Sequence, residues 1–505
     1  MSVFTHSNPN IRELIELSSQ LKDLSSTIAL LSWDQETHLP PQGALARARQ
    51  LELLSGIYHE FATKKKLGIL LEKLREDIEN KPQDFTQYDQ ALVREMSREF
   101  TMATKLPKKL VQALSKESSI GLEAWKHARA QNNFADFAPS LQKIVELKRE
   151  VAHTYGFNQS PYDALLDEYE QGLTYQQVMD AFVPLRETMK VLIPQLTEKT
   201  AVYDKGILRQ TFDGQQLWDF SMHVLELIGF DLERGRQDKS THPFTMGLNI
   251  GDVRLTTRII ETNPISTLLS TIHEAGHGMY EQGISPDFAD STLGFVNSLV
   301  VHESQSRFWE NMIGRSKEFW EFLYPQFQAR FPKQLKGKNV EEIWRELNVI
   351  QPSLIRVDAD EVTYHMHILI RTEIESALIE GKLDVKDVQS AWNEKYSRYL
   401  GISVPSDTQG CLQDIHWSQG LIGYFPTYSL GSLFSAQLYE TIIQEHTDLP
   451  QAIKEGRFEK PLHWLNDKIH QHGRVYTSEQ LAQKVTGKLI NADAYLRYIE
   501  KKFHI

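Results

Sequence analysis

Apolar residues recur every three or four positions along most of the chain, between polar stretches. This spacing predicts amphipathic helices, as in Ile11 to Leu31, Ala44 to Phe61 and Phe137 to Tyr155. Glycines and prolines gather at the joints, so that Leu39-Pro40-Pro41-Gln42-Gly43 stops one helix before the next begins at Ala44. One stretch departs from the helical period. Between Phe244 and Ile260, Met246, Leu248 and Ile250 alternate with smaller or polar residues, Gly251-Asp252 interrupts, and Val253-Arg254-Leu255-Thr256-Thr257 resumes a β-rich composition. This predicts a hairpin. The expected fold is mainly α, with one small β-sheet. With no low-complexity linker and no fixed-period repeat, residues 1–505 are expected to form a single domain of two helical lobes flanking a cleft.

Composition narrows the class. Apolar residues make up 41 % of the 505 positions and charged residues 24 %, the balance of a globular enzyme or binding protein. The single cysteine, Cys411, cannot form an intrachain disulfide and offers no thiolate cluster to a metal, which fits a reducing cytoplasm. The stretch from Met1 to Arg12 is polar and no long apolar run follows, so neither export nor a membrane span is expected. A net charge of −12 argues against a nucleic-acid-binding surface, which must neutralise phosphates. Lys64-Lys65-Lys66 reads as a solvated helix end.

The chemistry concentrates in Ser270-Thr271-Ile272-His273-Glu274-Ala275-Gly276-His277. Four positions are just over one helical turn, so His273 and His277 share a face and can present two imidazoles to one cation. Glu274 then stands where a base is needed to activate water. The flanks suit a helix: Asn263 as cap, Pro264 at its first position, Ile265, Leu268, Leu269 and Ile272 as the buried stripe, and Gly283 as the stop. A catalytic zinc site needs a third protein ligand. Downstream, an expected helix capped by Asp290-Ser291-Thr292 and carrying Phe295, Val296, Leu299 and Val300 leads into His302-Glu303-Ser304-Gln305-Ser306-Arg307. Packed on the first helix, it can bring Glu303 to the metal; Glu303 is preferred to His302. The alternative is an exposed Glu303 paired with Arg307 one turn on. His365 and His367, two apart on a helix from Asp358 to Glu380, face different ways and are not assigned to metal.

Together with these motifs the chain carries His242-Pro243-Phe244, Asp252-Val253-Arg254-Leu255-Thr256, Ile355-Arg356-Val357-Asp358-Ala359-Asp360, Gly410-Cys411-Leu412-Gln413-Asp414-Ile415-His416-Trp417 and, near the start, Trp33-Asp34-Gln35-Glu36-Thr37. In that set and order the sequence resembles the carboxypeptidase Taq family of metallocarboxypeptidases through nearly its whole length. The resemblance implies a largely helical fold with a deep active-site groove, related to the neurolysin and angiotensin-converting enzyme architecture. It implies a cytoplasmic homodimer that removes single residues from peptides with a free C-terminal carboxylate, using zinc or cobalt. His273, His277 and Glu303 match the family's metal ligands, and Glu274 matches its general base. Arg254 and Arg356 match arginines that receive the terminal carboxylate. His416 matches the Gln-Asp-x-His-Trp block, and Tyr424 and Tyr428 follow in an aromatic segment suited to oxyanion donors, with Tyr424 taken as the expected one. His242 is expected to line the pocket. No acidic residue stands four positions after Glu303, where Arg307 is found, so the partner that orients a metal histidine is left unnamed. The competing readings are an oligopeptidase that cuts internal bonds with the same metal chemistry, and an inactive helical peptide-binding scaffold.

Overall fold

The first predicted helix forms over Pro9–Thr37, extending past its apolar repeat at both ends and starting where the Asn8 side chain caps it, accepting from the amides of Asn10 and Ile11. Its Trp33 is buried, and Asp34 pairs with Arg47 of the next helix at 2.6 Å. The other two predicted helices appear as Ala44–Ala62 and Ala138–Tyr155. The computed structural model describes residues 6–203 and 205–505, so the first five positions of the polar opening stretch lie outside the described residues. Among them, no helix is long and apolar enough to cross a membrane.

The chain divides into two compact units, each assembled from three stretches. The first unit comprises Met1–Thr104, Asp204–Leu347 and Leu438–Gly487; the second comprises Lys105–Tyr203, Asn348–Gln437 and Lys488–Ile505.

The predicted hairpin lies in the first unit, as β2 (Thr245–Asn249) antiparallel to β3 (Asp252–Thr257). A third strand, β1 (Gly235–Lys239), pairs parallel with the other side of β3, giving the order β1-β3-β2. Its sequence, Gly-Arg-Gln-Asp-Lys, has no apolar alternation, because it is an edge strand that buries only Gln237 and Asp238. The central β3 buries Val253 and Leu255, and the sheet packs on the Pro264–Gly283 helix. That helix begins as predicted, with Asn263 Oδ1 accepting from the Ser266 amide at 3.1 Å, and ends at Gly283.

Two predicted helix starts are corrected. The helix bearing Glu303 runs over Leu299–Arg307, with Ser298 as its cap, and does not include Phe295 or Val296. Side chains from the first helix explain the delay. Ser18 Oγ accepts from the Thr292 amide at 2.8 Å and Lys22 Nζ donates to the Gly294 carbonyl at 3.1 Å, so backbone groups there are satisfied outside a helix. In the second unit, the helix expected from Asp358 starts at Tyr364. Asp360 Oδ1 accepts from the amides of Val362 and Thr363, and this local bonding holds a turn in place of a helical start. The Tyr364–Ile379 helix is buried on nearly every side by the Ala138–Tyr155, Pro161–Asp167, Tyr175–Thr200 and Val388–Leu400 helices.

Candidate metal centre and active-site residues

The Pro264–Gly283 and Leu299–Arg307 helices pack closely, and this brings three donors together. His273 Nε2 lies 3.7 Å and His277 Nε2 3.6 Å from the same oxygen, Glu303 Oε2. One ligand atom from each residue falls within 4.8 Å of the others, and among the described residues this is the one group of three so placed. Zinc with imidazole and carboxylate ligands in a tetrahedral arrangement holds neighbouring donor atoms about 3.3 to 3.6 Å apart. The set therefore fits a divalent cation with little movement. Glu303 also pairs with Arg307, at 2.6 Å through Oε1, so the surface pairing considered from the sequence is present on the opposite oxygen of a buried carboxylate.

The orienting partner that the sequence left unnamed is Glu310, whose Oε2 lies 2.8 Å from His273 Nδ1. With Nδ1–H donating there, Nε2 keeps its lone pair for a cation. Glu310 is buried within Phe308–Gly314, a π-helical segment that continues directly from the Leu299–Arg307 helix. Burial alone raises its carboxyl, but Arg307, His273 and Arg315 outweigh that and hold it well below the usual carboxylate range. Burial likewise lowers His273, and Glu303 with Glu310 more than reverses this, so that its imidazole is raised. His277, buried and beside His302 and His273, is held well below the ordinary histidine range. Its ring stacks on that of His302 at 4.0 Å, and His302 Nε2 lies 3.2 Å from Glu281. His302 thus touches a metal histidine without belonging to the donor group.

Glu274 is buried beside this set. Thr245 Oγ1, on β2, donates to its Oε2 at 2.7 Å. Burial raises the carboxyl above the usual range, opposed by His273 and by Thr245. On β3, Arg254 Nε donates to Asp252 Oδ1 at 2.9 Å and its guanidinium lies over the Trp33 ring at 4.4 Å. His242 is exposed, and its carbonyl accepts from Ser240 Oγ at 2.6 Å.

The second unit holds its own cluster. Arg356 is buried, its Nε 3.0 Å from Asp414 Oδ1 and its Nη1 donating to Tyr364 OH at 3.1 Å. Arg371, which no sequence motif marked, takes the other oxygen of Asp414 at 2.7 Å and lies over Trp392. Two guanidiniums share one carboxylate, which leaves a net positive charge. Burial raises Asp414, yet the two arginines pull it far below its ordinary value. Burial pushes His416 down to about 4, so the imidazole is neutral at pH 7. Its Nε2 lies 3.4 Å from Tyr428 OH, and its ring packs at 5.6 Å from that of Tyr424. Arg356 lies over the Tyr428 ring at 5.3 Å. His365 and His367 are buried and hydrogen-bonded to Ser429 and Tyr396 at 2.9 Å each, and neither joins the metal group.

A mainly helical fold in which a His-Glu-x-x-His helix and a glutamate from the following helix converge on one point defines a metallopeptidase. Residues 13–503 match the family model for the carboxypeptidase Taq (M32) metallopeptidases. The thermostable carboxypeptidase 1 of Thermus thermophilus is 36 % identical over 97 % of this chain and 98 % of its own length. The crystal structure of the M32 carboxypeptidase of Deinococcus radiodurans, 36 % identical, superposes with a TM-score of 0.94 over 98 % of this chain and 99 % of its own. That of the Pyrococcus furiosus carboxypeptidase, 34 % identical, gives 0.95 over 99 % of both. The chain belongs to the M32 carboxypeptidase Taq family and is a metallocarboxypeptidase, with a fold related to the neurolysin and angiotensin-converting enzyme architecture.

Proposed function

We propose that this chain is a zinc-dependent exopeptidase that takes single residues from free peptide C-termini with broad specificity, cobalt being able to replace zinc. His273, His277 and Glu303 would hold the ion, which when bound polarises a carbonyl and makes water more acidic. Glu274 accepts the proton of the attacking water and passes it to the leaving nitrogen, a task suited to a carboxyl whose burial lifts it toward neutrality. Neutral His416 and one tyrosine, Tyr424 or Tyr428, donate to the developing oxyanion; the 3.4 Å approach of Tyr428 OH to His416 supports Tyr428 as much as the sequence favoured Tyr424. Arg254 and Arg356 receive the terminal carboxylate, and His242 contributes to the pocket wall.

What carries this reading is the charge balance around Asp414: one carboxylate faces two buried guanidiniums, so an incoming carboxylate restores neutrality. The family likeness further supports a cytoplasmic homodimer. The test is a peptide offered as free acid and as its C-terminal amide, followed by time-resolved mass spectrometry. The free acid should shrink by single residues from its C-terminus and the amide should be nearly inert. Substituting Arg254→Gln or Arg356→Gln should lower kcat/KM on the acid on the order of tenfold to a hundredfold and change the amide much less. Equal cleavage of acid and amide at internal bonds, with silent arginine variants, would replace this reading by an oligopeptidase.

A further inference from the structure

Glu375 lies in the middle of the Tyr364–Ile379 helix, wholly buried, and the chemistry described above does not use it. Its carboxylate collects three donors. Tyr162 OH donates to Oε2 at 2.7 Å, the Gly423 amide to the same oxygen at 3.0 Å, and Trp417 Nε1 to Oε1 at 2.7 Å. None of these partners is a cation, and the nearby Lys148 is engaged by Glu168 at 2.5 Å. Burying a carboxylate without a countercharge is costly, and an apolar side chain of similar size would pack the helix better. The position of the donors gives the carboxylate a purpose. Trp417 directly follows His416, and Gly423 directly precedes Tyr424.

One side chain therefore grips both ends of the segment from His416 to Tyr424. The segment between them is a tight, non-repeating path: a 3-10 turn over His416–Gln419, then Gly420 and Gly423 in the left-handed region at φ 73° and 97°. At Gly423 a Cβ would come within 2.7 Å of the Leu165 carbonyl, so the chain there is pressed against the Pro161–Asp167 helix. Its own backbone bonds, among them Leu421 N–H to the His416 carbonyl at 3.0 Å and Gly420 N–H to the Trp417 carbonyl at 3.1 Å, close the path on itself, and Glu375 is what ties Trp417 and Gly423 to the helix behind it. We propose that Glu375 is a positioning residue, acting through Trp417 and Gly423 to aim His416 and Tyr424 at the reacting carbonyl. This rests on the reading that these two residues serve the oxyanion.

The experiment compares kcat and KM for a free-acid peptide, with metal content measured alongside, in Glu375→Gln, Trp417→Phe and Tyr162→Phe. Each alters the same set of bonds, but Tyr162 is not itself part of the His416–Tyr424 segment. Glu375→Gln and Trp417→Phe should lower kcat on the order of tenfold to a hundredfold, as small misplacements of catalytic groups do, with KM and metal content unchanged. Tyr162→Phe should lose stability while keeping kcat within about twofold. His416→Ala and Tyr424→Phe are measured in parallel. If they lose turnover while folded Glu375→Gln and Trp417→Phe keep it, the positioning role is overturned and the oxyanion reading stands. If His416→Ala and Tyr424→Phe themselves turn over normally, that reading falls and the positioning role with it. A loss in Tyr162→Phe equal to the others would mean a general scaffold and also overturns the proposal. Should Glu375→Gln not fold, Trp417→Phe decides alone.

Discussion

Glu310 shows what a single side chain contributes beyond the donors themselves. By holding the proton of His273 on Nδ1, it keeps Nε2 free for a cation, and its own charge is balanced by Arg307 at 3.1 Å. Removing it as Glu310→Ala should weaken metal binding about tenfold to a hundredfold, read by competition with a chelator of known affinity. Unchanged affinity would show that His273 needs no such partner. No sequence motif marks this residue: one turn beyond Glu303 stands Arg307, and Glu310 follows close to two turns on, in a π-helical stretch that no local composition announces. His273 and His277 were legible for the opposite reason: four positions apart they share one helix face, while Glu303, for which spacing left a surface pairing with Arg307 open, rested on the resemblance as well. Glu375 has a residue-scale consequence for stability. Burial pushes its carboxyl from 4.5 to about 7, against the hydrogen bonds from Tyr162, Gly423 and Trp417. The folded protein thus keeps a proton that the unfolded chain has released. The associated stability is complete below about pH 4.5 and is lost as pH rises through 7, a change on the order of 3 kcal/mol. Denaturant midpoints from pH 5 to 8.5 should therefore move in favour of Glu375→Gln relative to wild type. A difference between the two that stays flat with pH would contradict the shift.

The helical elements were legible where a side faces the core, since a period near 3.6 is the imprint of one buried face. Their starts were less so. The Leu299 and Tyr364 helices begin late because Ser18, Lys22 and Asp360 satisfy backbone groups upstream, and the first two of these come from far along the sequence. Strand β1 left no pattern because an edge strand with Arg236 and Asp238 paired at 2.6 Å buries little apolar surface. Close packing of the two metal-bearing helices has its own requirement. Gly276 sits between His273 and His277, and a Cβ there would come within 2.6 Å of the Gln305 carbonyl and 2.7 Å of Ser306 Cα. Both are backbone atoms of the helix that carries Glu303, so the only relief is to move that helix away. Gly276→Ala should accordingly lower stability by about 1 to 3 kcal/mol and weaken metal binding, since Glu303 is displaced with its backbone. Thermal unfolding of the metal-free protein reads the first effect and chelator competition the second. A variant that matches wild type in both would mean that the helices can part without moving Glu303.

At the scale of the whole chain, the family was readable because its motifs are spread from Trp33 to Trp417 in a fixed order, while which separated stretches, three to each, make up the two units was not. Contacts between stretches far apart in sequence leave no periodic trace. The metal donors, by contrast, all lie in the middle stretch of the first unit, on two neighbouring helices. A cation that binds the folded donors and not the unfolded chain must stabilise the elements that carry them, by about 2.7 kcal/mol at a free concentration one hundred times Kd. Because the ligating nitrogens must be unprotonated, that stabilisation should fade on acidification. Hydrogen exchange locates it. Adding zinc to the chelated protein at pH 7.5 should slow exchange in the Pro264–Gly283 and Leu299–Arg307 helices and in Phe308–Gly314, which holds Glu310. Glu303→Ala should abolish that protection at the same zinc concentration, because two imidazoles alone bind too weakly to shift the equilibrium. Protection that persists in Glu303→Ala would remove Glu303 from the donor set and reopen the choice between it and its neighbour His302.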